Sequence, residues 1–331
     1  MNKKIAVDIG TSSVLIYEKG KGLVLQEPSV ITVDTVTNKV IKAGKEAKEV
    51  AERTSDSVIK TVFPISEGVV NRFTHTLVML DKFLKRSCGK FVVRPDITVC
   101  VPCSISDVEE MAFKNIALEC GAKNVYLIDS PFAAAIGAGV DVMAPSGNMI
   151  IDVGGGCTDV AVISLGGIVE SFCAKCGGNN FNEAIMRYVR ARYDVIISDS
   201  AAEEVKIKAG TVWSGGAGNV EVKGKSIRTS TPALVTLTQQ DIIEAFEEPV
   251  TRIAEAITSV MEKTPPELVS DIAKNGIVMT GGGSLIRGFD KLISSITGAP
   301  VHIADKPVSC TVIGAGKADE FDINAHFTKR K

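Results

Sequence analysis

The sequence predicts an α/β protein of two duplicated lobes facing each other across a cleft. Three observations lead there. A strand–Asp–glycine turn–strand device occurs twice, at 5–16 and at 150–163. Apolar strand-like runs alternate with amphipathic helical periods. Glycine-rich turns follow three of the apolar runs, at Asp8–Ser13, Asp152–Thr158 and Thr280–Ser284. The length, 331 residues, exceeds most single cores and favours two lobes on its own.

Along the chain, each element has its reason. The run 5–16 (IAVDIGTSSVLI) reads as a hairpin whose tip offers backbone N–H groups beside the Asp8 carboxylate. Residues 106–120 (SDVEEMAFKNIALEC) open with a capping box, Ser106 and Glu109, and set Val108, Met111, Ala112 and Ile116 on one helical stripe. Gly121 ends that helix. A strand follows at 125–128, and then Pro131 starts an alanine-rich helix. The second hairpin repeats the first, with Asp152 matching Asp8 and Gly154 matching Gly10. Residues 181–193 and 241–262 read as amphipathic helices, the latter interrupted near Pro249. The stretch 211–239, rich in turns and short alternating runs, reads as a small insert on the second lobe. GIVMT (276–280) reads as a parallel-type strand.

Composition narrows the function classes. Hydrophobic residues at 45% and charged residues at 23% exclude long disorder. A formal net charge of -2 gives no field that would gather nucleic acid. The N-terminal MNKKIAVDIG goes directly into a strand-like run, and no apolar run approaches a membrane span, so a cytoplasmic location is expected. Eight cysteines include two CxxC pairs, Cys100/Cys103 and Cys173/Cys176, about seventy residues apart. That spacing lies outside zinc-ribbon patterns, and the cysteines are expected to be buried thiols.

Three glycine-rich turns after apolar strands point to phosphate. Glycine clusters permit close approach of another group, and turn N–H groups bind phosphate oxygens. No GxxxxGK[ST] loop and no strand–GxGxxG–helix unit is present, which excludes those two nucleotide folds. Mg²⁺ reaches carboxylates through its retained waters, so Asp8 and Asp152, one from each lobe, are candidates to hold the hydrated cation of Mg-ATP. Glu203 and Lys206 share a helix face at i,i+3 spacing, from which both could reach a ribose or adenine.

Five stretches carry a family resemblance: 19–30 (KGKGLVLQEPSV), 124–140 (NVYLIDSPFAAAIGAGV), 151–171 (IDVGGGCTDVAVISLGGIVES), 201–210 (AAEEVKIKAG) and 276–293 (GIVMTGGGSLIRGFDKLI). On these the whole chain resembles the actin, sugar-kinase and heat-shock-chaperone ATPase superfamily, and within it the MreB family of bacterial actins. The resemblance implies an actin-like ATPase fold of four subdomains around a nucleotide cleft. Subdomain IA would take 1–31, 66–142 and 311–331, IB 32–65, IIA 143–180 and 243–310, and IIB 181–242. It also implies ATP and Mg²⁺ as cofactors, with Gly10, Thr11, Ser12 and Ser13 and then Gly154, Gly155 and Gly156 as phosphate loops. Glu203, Glu204 and Lys206 fall on the nucleoside-side helix, and Gly281, Gly282, Gly283, Ser284 and Leu285 on the adenine-side loop. Partners implied are further copies of the chain in a homopolymer, with double filaments and co-assembly with paralogues both open. The inner face of the cell membrane and the cell-wall elongation machinery complete the set.

The chain departs from that family at two places. Cys157 stands where the family typically has a water-orienting Thr, and Ser130 where it typically has a Glu. A thiol is a weaker hydrogen-bond partner than a hydroxyl, and Ser130 has neither the charge nor the reach of Glu. The expectation is an ATP binder that hydrolyses slowly or hardly at all, since phosphoryl transfer depends on positioning and electrostatics. Adjacent Asp129, Ser130 itself or a water remain alternatives for the missing role. Ser12-Ser13 in place of the usual Ala-Asn is milder. Phe91, Val92 and Val93, flanked by Lys90 and Arg94, occupy the place of an apolar membrane-binding loop, or else begin the following strand. A small-molecule kinase of the same superfamily is the alternative function, with Asp159 or Asp129 as its base.

Overall fold

The computed structural model describes residues 3–51, 59–89, 93–215 and 218–321. Its frame is two five-stranded sheets. In the first, β1 (Lys4–Ile9), β2 (Ser13–Glu18) and β3 (Gly22–Pro28) form an antiparallel meander, and β4 (Asp96–Val101) and β5 (Asn124–Asp129) join β1 in parallel, in the order β5-β4-β1-β2-β3. In the second, β6 (Asn148–Val153), β7 (Thr158–Ser164) and β8 (Gly167–Ala174) form the same meander. β9 (Ile277–Thr280) and β10 (Val301–Ile303) join β6 in parallel, in the order β8-β7-β6-β9-β10. Order and strand directions match one for one, so the duplication read from two hairpins extends to whole lobes. Every residue of β7 is buried, as befits a strand covered on both faces.

Helices cover these sheets. α1 (Asp107–Glu119) starts with the Ser106/Glu109 capping box. Its buried residues, however, are Phe113, Ile116 and Ala117, while Val108 is 80% exposed and Met111 is exposed too. The stripe predicted through Val108 and Met111 is thus corrected: the aromatic side chain at 113 sets the buried face. α2 (Ser130–Gly137) follows β5 directly. In the second lobe α3 (Gly178–Tyr193) begins three residues before the predicted start, and α4 (Asp199–Ala209) carries the AAEEVKIK segment. α5 (Gln239–Lys263) runs through Pro249 without a break, against the predicted interruption. A proline inside a helix costs about 3 kcal/mol. Ile242, Phe246, Ile253, Ile257 and Val260 are buried on either side of it, and such side chains contribute about 1.5–3 kcal/mol each. Burial therefore wins.

The lobes meet around α2 and α6 (Cys310–Lys317), which share a core with Ala6, Leu15, Ile150 and Ile163 of the two sheets. The two helices touch through glycines. A Cβ on Gly314 would lie 1.8 Å from the Ala133 carbonyl oxygen, and one on Gly137 would lie 1.9 Å from that of Cys310. Only glycine permits this approach. Each lobe also bears a three-stranded antiparallel sheet above its main one. The first is built from Val40–Ala43, Ile31–Asp34 and Ile59–Val62, the second from Val195–Ile196, Val220–Ser226 and Pro232–Leu237. Two strands of the second, Val220–Ser226 and Pro232–Leu237, come from the insert read at 211–239, and the third, Val195–Ile196, precedes it. Among the described residues no helix is long and apolar enough to cross a membrane.

Candidate functional site

The two hairpin tips close alike. Gly10 N–H donates to the Ser13 carbonyl at 3.0 Å, and Gly154 N–H to that of Cys157 at 2.9 Å. The tips then face each other. A Cβ on Gly155 would stand 1.9 Å from Ser12 Oγ, and one on Gly156 would stand 2.4 Å from Thr11 Oγ1, so the second loop must be glycine for the first to approach. Surrounding bonds hold both loops. Thr11 Oγ1 accepts from Gly68 N–H at 2.9 Å, Ser12 Oγ donates to Asn179 Oδ1 at 3.2 Å, and the α3 N-terminus donates from Gly178 and Asn179 to the Gly154 and Gly155 carbonyls. Paired turns of this kind can cradle phosphate oxygens.

Beneath the loops lies a group of carboxylates. Burial, reinforced by the charges of Asp152 and Asp159, pushes Asp8 up to about 7. Burial likewise pushes Asp152 up to about 6, and Asp159 up to about 7. Asp152 Oδ2 accepts from Thr311 Oγ1 at 3.0 Å, while its buried Oδ1 has no hydrogen-bond partner among the described residues. An unpartnered buried carboxylate oxygen beside a second acid fits a hydrated divalent cation, which would favour the ionised forms. Asp8 and Asp152 could hold one.

The remaining predicted residues divide. Lys206 Nζ donates to the Gly178 carbonyl at 2.8 Å, which ties α4 to the second loop, and burial lowers its pKa. Glu203 forms an ion pair with Lys48 at 2.6 Å, joining α4 to the small sheet region of the first lobe across the cleft. Glu204 faces away and pairs with Lys208 at i,i+4. In the third loop Gly281 adopts φ +78, and a Cβ there would lie 2.3 Å from the Val153 carbonyl oxygen, so this loop packs against the second hairpin. The Ser284 hydroxyl is buried and donates back to the Gly281 carbonyl at 2.7 Å. Gly283 is buried as well, whereas Leu285 is 59% exposed.

Ser130 is buried as the first residue of α2, directly after Asp129 at the end of β5. Cys157 is buried, and its Sγ donates to Asp159 Oδ2 at 3.8 Å. Phe91 and Val92 lie outside the described residues, and Val93 is 62% exposed. Several participants escaped the sequence reading: Asn179, Thr311, Lys48 and Gly68 give no local signal, because their partners lie far away in sequence. Asp159 stood in view inside the second glycine motif. Its neighbour Cys103 stood in a CxxC pair.

The paired loops between duplicated sheets define an actin-like fold. A crystal structure of MreB5 from Spiroplasma citri bound to ADP superposes with a TM-score of 0.91 at 32% identity, covering 97% of this chain and 99% of that one. A MamK double helical filament has the same fold, with a TM-score of 0.81 at 19% identity over 96% of this chain and 99% of that one. The chain belongs to the MreB/Mbl protein family, whose model matches residues 2–325. The cell shape-determining protein Mbl of Bacillus cereus is 40% identical over 316 residues, 95% of each chain. The cell shape-determining protein MreB of Escherichia coli K12 is 41% identical over 323 residues, 96% of this chain and 93% of that one.

Proposed function

We propose that this chain binds Mg-ATP in the cleft, assembles with further copies into filaments at the inner face of the cell membrane, and acts there in cell shape and wall elongation. The observation that carries the reading is the meeting of the two glycine hairpins above Asp8 and Asp152. Thr11, Ser12 and the Gly154–Gly156 backbone would hold the phosphates, and Glu203 and Lys206 would line the nucleoside side with the Gly281–Leu285 turn beyond. Bound Mg²⁺ would offset phosphate charge. MreB5 structures with ADP and with AMPPNP support nucleotide binding, and the MamK filament, by fold alone, is compatible with self-assembly. Membrane contact through the loop containing Val93 is part of the same reading.

Hydrolysis is proposed to be slow. The Cys157 thiol is turned to Asp159, and Ser130 is too short to reach as a Glu would. A fluorescent ATP analogue, titrated with and without Mg²⁺, tests the site directly. Tight binding that needs Mg²⁺ in the wild type, and weakens at least about tenfold in Asp152→Asn, is expected. Equal binding by both proteins, with no effect of Mg²⁺, would reject the proposed cleft.

A further inference from the structure

The fold assembles a thiol cluster that sequence spacing conceals. Cys103 belongs to the first lobe, two residues after β4. Its N–H and its Sγ both donate to Asp159 Oδ1, at 2.9 and 3.0 Å. Asp159 lies on β7 directly opposite Cys173 of β8, so their side chains share one face of the sheet. Cys157 is two residues before Asp159 and points to the same face. The donor atoms of Cys157, Asp159 and Cys173 all lie within 4.8 Å of one another, and Cys103 Sγ meets the same carboxylate. One cysteine from each CxxC pair has thus joined a third thiol and an acid. The other two face elsewhere: Cys100 Sγ towards the Thr311 carbonyl and Cys176 Sγ towards that of Pro249.

From this geometry we infer that Cys157, Cys173 and Asp159 form a binding site for one thiophilic divalent cation, Zn²⁺ by its chemistry, beside the carboxylate contact that Cys103 makes from the other lobe. Three donors, two sulfur and one oxygen, match the ligand types of a zinc site that keeps its fourth tetrahedral position for a water. With Zn–S near 2.3 Å, tetrahedral ligands stand about 3.8 Å apart, and Cys157 Sγ lies 3.8 Å from Asp159 Oδ2. Asp159 and Cys157 are 3% and 8% exposed, and Cys173 is partly exposed, which gives the ion a way in. Gly68, at φ +81, presses on Cys157, since a Cβ there would lie 2.7 Å from its Sγ. Mg²⁺ prefers oxygen donors and would not compete for this site. Uptake converts two thiols to thiolates, and their protons pass to solvent. The inference does not depend on the nucleotide reading, because none of the three ligands is assigned to phosphate or to Mg²⁺.

Co²⁺ is the probe. The reduced full-length protein, first stripped with a chelator, is titrated with Co²⁺ alone. One equivalent per chain is expected to produce a sulfur-to-cobalt charge-transfer band and the intense visible bands of tetrahedral coordination, both bleached by Zn²⁺. Cys173→Ser and Asp159→Asn are expected to weaken Co²⁺ binding at least tenfold, while Cys88→Ser, remote from the cluster, leaves it unchanged. The wild-type titration stands whatever the variants do. Absence of these bands at excess Co²⁺ overturns the site, and so do bands that persist undiminished in Cys173→Ser.

Discussion

Asp159 allows a worked prediction. It is a 3% exposed carboxylate whose pKa burial raises from 3.8 to about 7. Each tenfold change in proton affinity is about 1.4 kcal/mol, so ionised Asp159 costs the folded chain about 4 kcal/mol. Between about pH 4 and pH 7 the folded chain keeps a proton that the unfolded chain has lost. Stability therefore falls as pH rises through that window and levels off above it. Asp159→Asn removes this penalty and keeps an acceptor for Cys103 N–H. It also relieves Asp8, whose pKa is raised by burial first and then by Asp152 and Asp159. In urea unfolding without nucleotide and with chelator, the variant is expected to be about 2–4 kcal/mol more stable than wild type near pH 8. The two should converge near about pH 4. Parallel stability profiles across the window would show that Asp159 is not a strained acid, and would refute the reasoning.

Three further outcomes follow from other contacts. Gly155→Ala places a methyl 1.9 Å from Ser12 Oγ, and should force the hairpin tips apart, lowering ATP-analogue affinity at least about tenfold and stability by about 1–3 kcal/mol, read by titration and urea unfolding. Gly314→Ala meets the Ala133 carbonyl at 1.8 Å, a backbone atom that cannot swing aside, and should cost about 3 kcal/mol or more in unfolding free energy with the cleft residues untouched. The paired change Ser130→Glu and Cys157→Thr should raise phosphate release at least about tenfold, measured by continuous phosphate detection; an unchanged rate would mean that neither position limits hydrolysis.

Much of the fold was legible because its signals are local. The two hairpins share an Asp and a glycine at the same offsets, and their tips close with the same hydrogen bond. The Ser106/Glu109 capping box set one helix start within a residue. Where the reading failed, tertiary packing had overridden a local rule. Pro249 did not break α5 because buried side chains lie on both sides of it. Val108 and Met111 suggested a stripe that Phe113 displaced. Position in the chain cannot reveal pairs such as Lys48 with Glu203, or Asp152 with Thr311, 159 residues apart. The thiol cluster was hidden for the same reason, since the spacing within each CxxC pair says nothing about a meeting of one cysteine from each. Of the residues named on the resemblance, Glu204 faces solvent in a pair with Lys208, and the Ser284 hydroxyl bonds within its own turn.

The most direct test of the central claim is pelleting of the purified chain with ATP and Mg²⁺, with phosphate release followed in the same tube. The account predicts polymer that requires ATP and forms with little phosphate released. Polymer that is indifferent to nucleotide, or no polymer under any nucleotide, would contradict it.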